Sequence, residues 1–524
     1  MLDVPTYQLR NASPARTRAD AVVVGILDGP KGPVVAPGGE DVAEAFGRRW
    51  KGLLSSLGVK GKAGETHRIP SHGATNSPLL VLVGLGRPGE DGPSTAQVRE
   101  AAGLAARSVP NVSSVALALP ATDAPLVAAA TEGHLLGSYT FTRFRGTPAK
   151  DEGPGTVSVL SPAARRAEVV TAFEEAQLLA AAVAGVRDWV NTPAGDLTPP
   201  AFADEVTRAH AEATRGRGAP QVTLEIFDEE QLAELGCGGT LAVGGGSVAP
   251  PRMARLTYEH PDAAAHLALV GKGVTFDTGG LSIKPATNMH EMKSDMAGAA
   301  AVVRAALLIA QLGLPLKVTT YAPMAENAVS GTSFRPGDVV TLYGGTTLEI
   351  RNTDAEGRLL LADALAMAAE SEPDLLVDVA TLTGHMVVAL GDRITGVLGT
   401  DAAVASVLAA GERADEAMWP MPITDEVRGR VKASKVADLL QHDWVRWGGG
   451  LMAAAVLEQF TAGLPWAHLD IAGPSYTSGG PRGHVTSGGT GVAVATLIEI
   501  ARGLVAESTA EGETDDEAGG ALSA

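Results

Sequence analysis

Two short stretches of the chain gather carboxylates and amines where strands give way to helices. Residues 270–302, VGKGVTFDTGGLSIKPATNMHEMKSDMAGAAAV, carry Lys272, Asp277, Lys284 and Asp295 between an apolar strand and an Ala-rich helix. Residues 351–365, RNTDAEGRLLLADAL, carry Asp354, Glu356 and Arg358 at another strand-to-helix turn. Either stretch alone reads equally well as a capped turn with solvated charges. Taken together they predict a site, because parallel sheets bind ligands outside the carboxyl ends of their strands and both loops can reach one crevice there. Asp277, Asp295, Asp354 and Glu356 in one crevice would repel each other strongly, and two divalent cations supply the compensating charge. Beside carboxylates already neutralised by metal, Lys272 would lose its proton and offer a lone pair, while Lys284 stays charged farther out. Metals sharing carboxylates sit roughly 3.5–4 Å apart and bridge a water, whose lowered pKa makes a hydroxide nucleophile. Oxygen ligands with one nitrogen and no thiolate suit zinc or manganese.

The elements around these loops predict an α/β fold in two domains. A chain of 524 residues, 45% hydrophobic and 19% charged, exceeds what one core organises. Residues 1–162 read as a small N-terminal α/β domain with strands at 21–27, 79–86 and 115–120. Residues 163–190 read as a linking Ala-rich helix, and 191–504 as a larger catalytic α/β domain with a mixed, largely parallel sheet flanked by helices. Its strands are expected at 267–271, 316–322, 346–351, 374–380 and 466–471. From Val505 the last twenty residues hold six acids and no base, the composition of a disordered tail.

Charge and cysteine content remove several function classes. The net charge of −19 opposes general polyanion binding, although residues 1–160 carry 16 basic and 14 acidic side chains. Five bases surround Trp50 in RRWKGLLSSLGVKGK at 48–62, which reads as a solvated helix and turn before it reads as a nucleic-acid surface. Cys237 is the single cysteine, so there is no internal disulfide or zinc finger, and a reducing, cytoplasmic location is expected. Asp3 and Asp20, with no basic segment followed by an apolar run, argue against a signal or transit peptide in the first twenty residues, and the apolar run Met296–Leu316, interrupted by Arg304, Gln311, Gly313 and Pro315, reads as a buried helix rather than a membrane span. GCGGTLAVGGGS at 236–247 lacks the ending of a phosphate loop. His290-Glu291 lacks the second histidine of a zincin helix, so His290 reads as structural or exposed.

The two stretches resemble the leucyl aminopeptidase (cytosol aminopeptidase) family of two-metal exopeptidases. NTDAEGRLLLADAL is similar to that family's signature, and the likeness extends through VNTPAGDLTP, LAVGGGS, AENAVSGTSFRPGDVV, DVATLTG and WAHLDIAG, over roughly residues 188–503. In the N-terminal domain only strings such as LVGLGRPGE resemble it. The resemblance implies a metallo-aminopeptidase that releases leucine and other apolar residues from peptides. It implies that Lys272, Asp277, Asp295 and Glu356 hold a tighter metal, and that Asp277, Asp354 and Glu356 hold a more exchangeable one. It implies further that Lys284 steadies the scissile carbonyl, that Arg358 holds a bicarbonate general base, and that Met292, Thr381 and Gly384 line the pocket for the first side chain. A homohexamer acting on peptide substrates is also implied. Lys435, His385 and the segment QHDWVRWGGG at 441–450 depart from the family's common pattern, outside the metal ligands. Two other readings stay open: an added role as a DNA-binding regulator, opposed by the acidic remainder of the chain, and a two-metal hydrolase of another amide or ester.

Overall fold

The computed structural model describes residues 5–109, 111–146 and 153–521, with the side chains of the last helix described through Ser508. The chain divides into two compact units, one of residues 1–184 with 479–487, the other of residues 185–478 with 488–524. The expected linking helix spans Ala167–Asn191, and the division falls inside it between Ala184 and Gly185; its Ala-rich run carries the helix through that single glycine. The return of residues 479–487 to the first unit rests on long-range contacts, such as the Arg107 guanidinium donating to the Gly483 carbonyl at 2.6 Å, which no local pattern announces.

The N-terminal unit is built on a seven-stranded sheet ordered Thr6–Arg10, Thr156–Leu160, Ser114–Ala118, Ala21–Gly29, Leu79–Gly86, Thr66–Pro70, with Gly32–Val35 hairpinned onto Ala21–Gly29. Alternate residues of AVVVGI face opposite sides. Ala21 and Val23 join Val98, Ala101 and Val127 of two helices, while Val22, Val24 and Ile26 join Phe46, Trp50 and Leu54. Trp50 is therefore core, and Arg48, Arg49 and Lys51 around it are exposed, the solvated-helix arrangement.

One buried group in this unit carries a pH prediction. His134 is fully buried, and its Nδ1 shares a 2.6 Å hydrogen bond with the Tyr7 hydroxyl. Burial pushes its pKa from 6.5 down to about 4. Between those values the unfolded chain binds a proton that the folded chain refuses, so stability is lost as pH falls from 6.5 toward 4, by at most about 3 kcal/mol. The drop in unfolding midpoint between pH 7 and pH 4.5 should be smaller in His134→Gln than in the natural protein; equal drops would contradict this.

The second unit holds a nine-stranded mixed sheet. Its order is Met418–Pro420, Thr395–Gly399, Trp466–Asp470, Leu375–Ala380, His266–Gly271, Lys317–Asn327, Arg252–Glu259, Val222–Phe227, with Gly273–Asp277 paired to Lys317–Asn327. The four middle strands are mutually parallel and their carboxyl ends lie at Asp470, Ala380, Gly271 and Asn327. Four of the five expected strands lie in this sheet, whereas 346–351 is shortened to Thr347–Glu349 and pairs instead with Val339–Thr341 and Leu439–Leu440 in a separate three-stranded sheet. The apolar run forms the helix Ala297–Gln311, buried over nearly its whole length, as a buried core helix should be.

The last helix runs Val494–Ala521, so the backbone expected to be unstructured from Val505 is helical to Ala521, and residues 522–524 of that tail lie outside the described residues. Alanine and glutamate, strong helix formers, prolong a helix already nucleated in the folded unit.

Candidate metal centre

Both loops converge at the carboxyl ends of the middle strands. Lys272 sits at the break between His266–Gly271 and Gly273–Asp277, its amide donating to the Val379 carbonyl and its own carbonyl accepting the Ala299 amide, so its backbone is fixed on both sides. Its Nζ donates to Asp295 Oδ1 at 2.7 Å and the Thr381 carbonyl at 2.9 Å, and lies 2.8 Å from Glu356 Oε1. Gly357 makes room for that amine, since a Cβ there would lie 2.5 Å from Lys272 Cε. Asp277 ends its strand; its Oδ1 accepts the Gly279 amide and Asn327 Nδ2, both at 2.8 Å, and its Oδ2 faces Lys284 Nζ at 2.7 Å. Gly279 and Gly280 turn the chain there with φ of +85° and +62°, values that favour glycine. Lys284 also pairs with Asp354.

Ligand oxygens of Asp277, Asp354 and Glu356 lie within 4.8 Å of one another. Asp277, Asp295, Glu356 and Lys272 are each at most 6% exposed, whereas Asp354 and Lys284 are partly open. Two ammonium groups face four carboxylates, which leaves negative charge uncompensated. Among the described residues, Asp295 Oδ2 and Glu356 Oε2 are buried with no hydrogen-bond partner. Buried carboxylate oxygens without donors are costly and suit a divalent cation of the oxygen-preferring or borderline kind. The residues present therefore fit the metals expected from the sequence.

The electrostatics agree. Burial pushes Asp295 well above the usual carboxylate range and Asp277 up to about 7, with Glu356 adding to both. Burial acts on Glu356 in the same direction, but Lys272 and Lys284 override it and hold it at about 2. Burial disfavours the Lys272 ammonium, and Asp295, Glu356 and Asp277 outweigh it, keeping its pKa above the ordinary lysine value. The neutral Lys272 amine expected from the sequence thus requires cations to take over those carboxylates.

Arg358 is buried on the helix Gly357–Ala369; one Nη donates to the Gln441 carbonyl at 2.6 Å, and Nε has no hydrogen-bond partner among the described residues. Burial pushes its pKa down to about 10, so it remains a cation at neutral pH. Thr381 is joined to the cluster, its hydroxyl donating to Asp295 Oδ1 at 2.7 Å. Met292 connects through backbone alone, its carbonyl accepting the Asp295 amide. Gly384 opens the helix Gly384–Leu390, and a Cβ there would meet nothing within 4 Å, so it borders open space without touching the carboxylates.

Several supporting residues are not legible from charge patterns. Asn327 aims Asp277 and also donates to the Thr353 carbonyl at 3.0 Å. Gln441 is fully buried, its Nε2 donating to the carbonyls of Asn352 and Ala355 at 2.7 and 2.9 Å and its Oε1 accepting the amides of Arg351 and Asn352 at 3.1 and 3.0 Å. It spans the turn that carries Asp354 and Glu356. Gln441→Leu removes the side-chain partner of four backbone groups, the Ala355 carbonyl among them buried, and should lower both metal affinity and activity by at least about tenfold; wild-type metal content after dialysis would refute this role. The only advance signal was that 441–450 departs from the family pattern. Elsewhere in that segment Trp444 and Trp447 are exposed, and the His385 ring lies against Gly449. Lys435 and His290 are exposed, and burial pushes Cys237 up to about 12, which leaves it inert.

Comparison with known proteins agrees with this geometry. The description "Cytosol aminopeptidase family, catalytic domain" matches residues 184–498, and the same family's N-terminal domain matches residues 23–148. A probable cytosol aminopeptidase of Nocardia farcinica is 48% identical over 93% of this chain and 95% of its own length. One from Streptomyces griseus is 44% identical over 96% of this chain and 99% of its own. Among solved structures, the bottromycin maturation enzyme BotP in complex with Mn superposes with a TM-score of 0.81 at 39% identity, covering 93% of this chain and all of that one. A mutant of tomato leucine aminopeptidase superposes with a TM-score of 0.84 at 29% identity, covering 95% of this chain and 97% of that one.

Proposed function

The chain belongs to the cytosol aminopeptidase family and is a metal-dependent aminopeptidase acting on peptides, and from that premise we propose that it releases leucine and other apolar residues with two divalent cations, zinc or manganese, at this site. The observation that carries the reading is the convergence of Asp277, Asp295, Asp354 and Glu356 around Lys272 and Lys284, with buried oxygens on Asp295 and Glu356 that have no hydrogen-bond partner among the described residues. Lys272, Asp277, Asp295 and Glu356 would hold one cation, and Asp277, Asp354 and Glu356 the other. When bound, the cations supply a polarised peptide carbonyl and a water acidic enough to attack near neutral pH.

The chain's own groups do the rest. Asp295 accepts a hydrogen bond from the substrate's free amine, which makes the enzyme an exopeptidase. Lys284 donates to the carbonyl oxygen as negative charge grows on it. Arg358, through its unpartnered Nε, holds an anion such as bicarbonate that receives the proton of the attacking water. Met292, Thr381 and Gly384 border the first side chain, the open space at Gly384 leaving room for leucine. The relatives' names favour a cytoplasmic location, and the family resemblance a homohexamer.

Leu-Gly-Gly and its amino-acetylated form test the reading. Cleavage of the free peptide alone is expected; equal cleavage of both would make this a two-metal hydrolase of another amide or ester.

A further inference from the structure

Beneath the site lies a row of buried polar side chains that the reaction does not use. Asp378, His468 and Asp470 stand on the neighbouring strands Leu375–Ala380 and Trp466–Asp470, which pair Asp378 with His468 and Ala380 with Asp470, and all three are at most 1% exposed. Asp378 is occupied locally, accepting Trp466 Nε1 at 2.8 Å and bonding His468 Nδ1 at 2.6 Å. Asp470 reaches out of its own strand. Its Oδ1 accepts the amides of Leu382 at 3.3 Å and Ala472 at 3.1 Å, and its Oδ2 accepts the Thr383 hydroxyl at 2.8 Å.

The turn it grips holds the site from the other side. The Thr381 carbonyl accepts Lys272 Nζ, and the Thr381 hydroxyl donates to Asp295. Thr383 caps the next helix, its hydroxyl accepting the Met386 amide at 3.2 Å, and Gly384 is that helix's first residue. A buried carboxylate is costly unless fully hydrogen-bonded, and this one spends two of its three bonds on that turn, the third going to the Ala472 amide of its own segment.

We propose that Asp470 is a positioning residue: by fixing the Thr381–Gly384 turn it sets both the aim of Lys272 and Asp295 toward a cation and the wall of the first side-chain pocket. The role rests on the metallo-aminopeptidase reading of the site. An asparagine at 470 can still accept from the Leu382 and Ala472 amides and can donate to the Thr383 oxygen in the third bond, whereas alanine keeps none of the three.

Manganese binding by equilibrium dialysis and steady-state kinetics on leucinamide test it on the full chain. Asp470→Ala should bind manganese about tenfold more weakly and raise KM more than it lowers kcat, while Asp470→Asn stays within about threefold of the natural protein on each measure. Wild-type manganese affinity and KM in Asp470→Ala would overturn the proposal, as would equal damage in both variants that tracks a loss of thermal stability. Should Asp470→Ala not fold, Thr383→Val removes the hydroxyl and with it both the bond to Asp470 and the cap on the Met386 amide; weaker manganese binding together with a raised KM supports the role, and unchanged manganese binding overturns it. A natural protein that binds no manganese or zinc would instead overturn the metal site, and this role with it.

Discussion

Glu356→Gln is expected to lower turnover on leucine substrates by at least about a thousandfold and to strip the protein of tightly held cation. Glu356 is 1% exposed, its Oε1 is paired with Lys272, and its Oε2 has no hydrogen-bond partner among the described residues. In the proposed assignment it is a ligand to both cations, so the amide removes a shared negative charge that no neighbour replaces. Glutamine has the same shape and, at the start of the helix Gly357–Ala369, leaves the packing intact, so the fold should survive. Metal content after dialysis, read beside the thermal midpoint, separates the outcomes. A folded variant with full metal and full turnover would remove Glu356 from the site.

Lys284→Met should cost about a hundredfold to a thousandfold in kcat by a different route, with metal binding retained or tightened. The Lys284 ammonium pairs with Asp277 and Asp354, two of the carboxylates a cation would claim, and burial of the amine is outweighed by Asp277, Glu356 and Asp354, which hold its pKa above the ordinary lysine value. Removing it deletes a competitor for those carboxylates as well as the donor proposed for the carbonyl oxygen. The two variants therefore split: loss of metal and turnover together at Glu356, loss of turnover alone at Lys284. A Lys284→Met protein that loses its metal would make the lysine a structural counter-ion to the site rather than a catalytic group.

What could be read in advance follows from where each signal resides. The strands His266–Gly271 and Gly273–Asp277 are apolar runs that give way abruptly to Lys272 and Asp277, and the carboxyl end of a buried parallel strand is where such a fold binds its ligands. The signature turn carries Asp354, Glu356 and Arg358 within five residues, so its chemistry is local and legible. Gln441 and Asp470 escaped because a neutral amide or a single acid acquires meaning only through partners some 90 residues away, the turns at Asn352–Ala355 and Leu382–Thr383. Lys272 stood out as a candidate ligand, but its strong ion pairing with Asp295 and Glu356 depends on geometry that spacing does not fix. The division of the chain inside a continuous helix, and the return of residues 479–487 to the first unit, were hidden for the same reason: composition changes mark linkers, and here there is none. The acidic tail misled because net charge argues for disorder while its alanines and glutamates also favour the helix that continues to Ala521.

The most direct test is a titration of chelator-stripped protein with manganese or zinc, following hydrolysis of leucine p-nitroanilide against metal bound per chain. Activity that is absent without metal, rises as cation fills the site, is complete at two equivalents per chain and is not seen with the amino-acetylated substrate is the predicted result. Full activity in the stripped protein, or none with either metal at saturation, would contradict the assignment of these carboxylates to a two-metal aminopeptidase centre.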